Sequence, residues 1–94
     1  MKIVINTCYG GFGLSAEALE RYRTLERLAP DHEIYDIDIP RNNPNLVQVV
    51  EQMGDRADGD FSKLKIVEVP DDVNWYIEEY DGREWVAERH RTWN

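Results

Sequence analysis

Apolar residues along this chain recur at two different spacings. The opening run Lys2 to Thr7, KIVINT, is β-branched and bounded by the glycines that follow, which predicts a short buried strand. From Ser15 the spacing changes to three and four: Ala18, Leu19, Tyr22, Leu25 and Leu28 with Ala29 fall on one side of a helix that Pro30 should stop. Ser15 stands where an N-cap belongs, Leu14 and Leu19 match the two partners of a hydrophobic staple, and Glu17 sits in the first turn where the helix dipole favours an acid.

Further along, His32 to Pro40, HEIYDIDIP, alternates in part and predicts a second strand or extended segment ended by Pro40. Asn43-Pro44 is a helix start, cap then first-turn proline, and Leu46, Val50, Met53 and Ala57 follow at helical spacing. That helix is expected to carry Gly54 internally and end at Gly59. Lys63 to Pro70, KLKIVEVP, alternates charged and apolar residues and predicts a strand covered on one face. The last third is a hairpin with Asp81-Gly82 at its tip. A two-residue turn there sets Glu79 opposite Glu84, whereas a three-residue turn with left-handed Gly82 sets Glu79 opposite Arg83 and Ile77 opposite Trp85. The second register is preferred, because it gathers Trp75, Ile77, Trp85 and Ala87 on one face and leaves Glu78, Glu84 and Glu88 on the other. The expected fold is therefore α+β, a single domain over residues 1–94, in the order β-α-β-α-β-β-β, with one mixed sheet, two helices on one face and a terminal β-hairpin.

Charge narrows the partners. With 19 acidic and 11 basic residues the net charge is −8, a field that repels nucleic-acid polymers but leaves room for a small anion held by a few local donors. No apolar run approaches the roughly 20 residues that cross a bilayer, and the chain enters strand and glycines without a signal-peptide pattern, so no membrane partner and a cytoplasmic setting are expected. One cysteine and two histidines do not stand in metal-ligand spacing. No metal site and no cofactor are assigned.

The candidate chemistry lies in Cys8 to Ser15, CYGGFGLS, where a glycine-rich strand-to-helix loop can offer backbone N–H groups to an anion at the positive end of a helix dipole. Three catalytic or cofactor motifs fail there. A P-loop needs a lysine that is absent. The dinucleotide fingerprint is met formally by Gly11, Gly13 and Ala16, but the turn from the strand is too long and the chain too short for the fold it belongs to. The cysteine-based loop of low-molecular-weight phosphatases needs an arginine where Leu14 stands, so Cys8 lacks its oxyanion clamp. What remains is binding without catalysis, by Cys8, Tyr9, Gly10, Gly11, Phe12, Gly13 and Ser15, with Arg41, Arg91 and Trp93 as guanidinium and stacking partners for a phosphate or base. The alternative use of the glycines is close packing with positive φ, Phe12 and Leu14 filling the core. Their number, three in four residues, favours a ligand. Glu78, Glu84 and Glu88 read as solvated surface or as a face for a basic partner, and His32 and His90 take no role.

The segments INTCYGGFGLS, IPRNNPNLVQVVEQMG and IEEYDGREWVAERHRTW together resemble a group of small proteins encoded by phages and prophages, which brings no established activity. That setting implies a host-cell cytoplasm and a homo-oligomer that holds a small phosphate-bearing ligand, a nucleotide, as an immune-signal sponge would. The alternative is an acidic protein that modulates a host protein through its hairpin. A weaker alternative is a small hydrolase using Cys8.

Overall fold

The computed structural model describes residues 1–89, and its elements follow from local signals that the sequence carries. Strand β1 spans Lys2–Asn6, helix α1 Ala16–Leu25, helix α2 Pro44–Met53, and strands β2, β3 and β4 span Leu64–Glu68, Trp75–Tyr80 and Arg83–Glu88. Ser15 caps α1, its Oγ accepting the Ala18 N–H at 3.1 Å. Asn43 caps α2, its Oδ1 accepting the N–H groups of Asn45 and Leu46, with Pro44 in the first turn. Both helices stop earlier than the apolar spacing predicts. Arg27 takes φ 57° just past α1, well before Pro30, and Gly54 takes φ 58° at the end of α2, so Ala57 is reached by a short 3-10 turn over Gly54–Ala57.

The class is α+β with a terminal hairpin, but the strands form two separate antiparallel pairs, β1 with β2 and β3 with β4, in place of one mixed sheet. Helix α2 packs on β1 and β2, and α1 packs on α2. The core between them holds Val4, Leu14, Ala18, Tyr22, Ile39, Leu46, Val49, Val50, Met53 and Ala57. Strand β4 lies against β1. They do not join into one ladder, because the Asn6 N–H on that edge of β1 donates to the Glu84 side chain at 2.8 Å, where a β4 carbonyl would have to stand.

The strand expected at 32–40 is absent. Asp36–Asp38 forms a 3-10 turn, Ile39 enters the core and Ile37 is 68% exposed. The neighbouring edge of β1 accepts this connection at one point only, Val4 N–H to the Arg41 carbonyl, and Pro40 has no N–H to extend a ladder.

The hairpin register is also corrected. Glu79 faces Glu84, Glu78 faces Trp85 and Trp75 faces Glu88, the arrangement of a two-residue turn. Asp81 and Gly82 both have positive φ, 54° and 91°, as a type I′ turn requires. This one-residue slip moves β4 to the opposite face. Trp75, Ile77 and Val86 now share a face with Glu79, Glu84 and Glu88, and Tyr76, Tyr80, Trp85 and Ala87 share the other with Glu78 and Arg83.

Candidate functional site

The glycine-rich loop is clamped between two other backbones. A Cβ on Gly10 would lie 2.0 Å from the Phe61 carbonyl oxygen, so the turn after residue 58 runs directly across it. A Cβ on Gly82 would meet the Gly11 nitrogen at 2.6 Å, so the hairpin tip sits on the loop's other side. Gly11 has φ 119°. Close approach therefore accounts for Gly10 and backbone shape for Gly11, the use that the sequence left as the alternative to a ligand, while Gly13 has ordinary space and no positive φ.

Asn6 holds the three segments in register. Fully buried, it donates through Nδ2 to the Cys8 and Gly82 carbonyls at 2.7 Å each and accepts through Oδ1 from the Cys8 and Lys63 N–H groups. Every hydrogen-bonding position of the amide is filled, which makes the junction specific as well as tight.

Several of the donors expected to face a phosphate are engaged within the chain: the Cys8 N–H on Asn6, the Leu14 N–H on Asp36, the Ser15 N–H on the Ala57 carbonyl, and Arg41 on Glu84. Ser15 Oγ donates to the Arg56 carbonyl while capping Ala18, and the Leu14 N–H donates to Asp36 Oδ2 at 3.0 Å. Arg41 places both terminal nitrogens on Glu84, at 2.5 and 3.0 Å, and stacks its guanidinium 3.6 Å from the centre of the Phe12 ring. Cys8 is exposed with a free thiol, and Tyr9 is exposed with Arg83 5.9 Å from its ring centre. Arg91 and Trp93 lie outside the described residues.

Helix α2 is served in the same way. Glu26 receives Asn45 Nδ2 at 2.5 Å, Tyr22 Oη at 3.0 Å and Asn43 Nδ2 at 3.3 Å. These bonds, that from Asn45 first, hold its carboxyl below the usual range. Burial, then the bond to Glu26, pushes the Tyr22 phenol up to about 12. Each helix N-terminus thus has a carboxylate from the chain itself beside it.

A cleft of about 440 Å³ does open beside the loop, bounded by Tyr9, Phe12 and Ile37 and by Glu79, Asp81 and Glu84 of the hairpin tip. Its charged wall is acidic. On the far side of the hairpin, Trp85 Nε1 and Tyr76 Oη each donate to Glu78, both at 3.0 Å, and Arg89 lies 5.0 Å from the Tyr76 ring centre. Tyr80 is 71% and Trp85 43% exposed on that face. Glu78 therefore points away from Glu84 and Glu88. Among the described residues no group of three His, Cys, Asp or Glu is placed to hold a metal ion, and no helix is long and apolar enough to cross a membrane.

Asn6, Asp36 and Glu84 organise this region although the sequence singled out none of them as structural. The available signals were weak: a polar residue ending an apolar strand, an acid in a failed alternation, and an acid two residues past the hairpin tip. Comparison of the chain with protein-family models, curated proteins and solved structures gave no match.

Proposed function

We propose that this chain is a non-catalytic interaction protein that engages a basic partner protein through its C-terminal hairpin. The observation that carries this reading is the outer hairpin face, where Tyr76 and Trp85 are fixed on Glu78 and stand beside exposed Tyr80. Aromatic side chains held by hydrogen bonds lose little freedom on binding, and Glu78 beside them suits a lysine or arginine laid across the exposed Trp85 and Tyr80 rings, the Tyr76 ring already having Arg89 beside it. The net charge of −8 draws such a partner in. A nucleotide held at Cys8 to Ser15 is less well supported, because Arg41 is paired with Glu84 and the cleft wall carries Glu79 and Asp81.

Titration with a Lys/Arg-rich peptide, followed by tryptophan fluorescence, tests the reading against thermal-shift measurements with a nucleotide panel. Binding should weaken with added salt and fall roughly tenfold in Trp85→Ala and further in Glu78→Lys. Stabilisation by a nucleotide without any peptide binding would overturn it in favour of the phosphate-bearing ligand.

A further inference from the structure

We infer that the open edge of β3 takes up an extended basic segment of the partner as a third strand; this rests on the reading of the hairpin as the interaction element. Strand β3 pairs only with β4, so its other edge carries no ladder among the described residues. The register tells which backbone groups lie there. In a two-residue hairpin the residues flanking the turn, Tyr80 and Arg83, form a hydrogen-bonded pair, and alternation makes Glu78 with Trp85 and Tyr76 with Ala87 the next ones. The Arg89 N–H bond to the Asn74 carbonyl continues the same phase. The N–H and C=O groups of Ile77 and Glu79 therefore point away from β4.

A two-stranded hairpin alone is marginal in water, and a third strand supplies what it lacks. Nearby side chains select the occupant. Adjacent Glu78 and Glu79 lie on opposite faces of this edge strand, and Tyr76 and Ile77 precede them. Glu79 also sits directly across from Glu84, a like-charge pair in which Glu84 alone has Arg41 as counterion. A cation opposite Glu79 relieves that repulsion. The matching segment has two consecutive basic residues, one for each face, next to two apolar or β-branched ones. Main-chain bonds then provide affinity, and the charge pattern provides selection. The edge itself keeps uncharged strands away by the same two carboxylates.

The probe is a short capped peptide with a Lys-Arg pair beside two β-branched residues, made in three forms: unmodified, N-methylated at one alternate set of residues, and N-methylated at the other set. Strand addition uses the N–H groups of one set only, so one methylated form should bind roughly tenfold or more weakly than the other. In amide exchange, Ile77 and Glu79 should gain protection when the unmodified peptide is added, while Tyr76, Glu78 and Tyr80 are already protected in the free protein. Equal binding by all three forms, with the Ile77 and Glu79 amides unchanged, overturns strand addition and leaves the basic-partner reading standing. No binding of the unmodified peptide overturns both.

Discussion

Removing the counterion of Arg41 gives the most direct test of how the hairpin is fastened to the body. The two side chains are only 12% and 7% exposed, joined by two charge-assisted bonds, and Glu84 also accepts the Asn6 N–H. Breaking a buried pair from one side costs about 3–5 kcal/mol, because the remaining charge is left without a partner. Glu84→Ala adds an orphaned amide at Asn6, worth about 1–3 kcal/mol more. That sum approaches the whole stability of a small domain, about 5–15 kcal/mol. Glu84→Gln is the milder perturbation, since its amide oxygen still accepts the Asn6 N–H while the charge is lost. Urea unfolding followed by tryptophan fluorescence, applied to Arg41→Met, Glu84→Gln and the double variant, gives the coupling directly. We expect each single variant to lose about 2–4 kcal/mol and the double to lose less than their sum by about 2 kcal/mol. A coupling below about 0.5 kcal/mol, the level of an exposed pair, would refute the assignment of this pair as the buried fastening between β4 and the connection that leads into α2.

Asn6→Leu leaves the Cys8 and Lys63 N–H groups and the Gly82 carbonyl without partners, so melting should show a loss of about 3 kcal/mol, roughly 12–24 °C in Tm for a domain of this size. Gly10→Ala drives a methyl into the Phe61 carbonyl and should cost more than Gly11→Ala, where only the positive φ opposes the side chain and about 1–2 kcal/mol is expected. Equal losses by calorimetry would deny the close backbone approach. Glu26 has a lowered carboxyl pKa, so its contribution is present above the ordinary carboxylate value and fades as pH falls through the lowered one; Glu26→Gln should flatten the acid limb of a Tm-against-pH curve. Tyr22 works in the opposite sense. Its neutral form is favoured, so its contribution is present below pH about 10 and is lost as pH rises toward about 12. In an ultraviolet titration of the folded protein, Tyr22→Phe should remove an ionisation near the alkaline end.

Local chemistry in the sequence was sufficient for several elements. Ser15 and Asn43-Pro44 start the helices because a cap satisfies N–H groups two or three residues away, and Asp81-Gly82 makes the hairpin because both positions tolerate positive φ. These effects act within one turn and need no other part of the chain. The α+β class followed from them and from the spacing of the apolar residues. Tertiary structure decided everything that depends on a distant partner. Whether Glu84 faces in or out was settled by Arg41 and by the Asn6 N–H on a strand 78 residues earlier, and that choice fixed the hairpin register against the more apolar face that the sequence favoured. Asp36 left a strand pattern to accept the Leu14 N–H, and Gly10 and Gly82 became contact points because two other backbones pass over the loop. A single sequence displays its donors and acceptors but not which of them meet, and in this acidic chain the carboxylates reached the helix ends and Arg41 first.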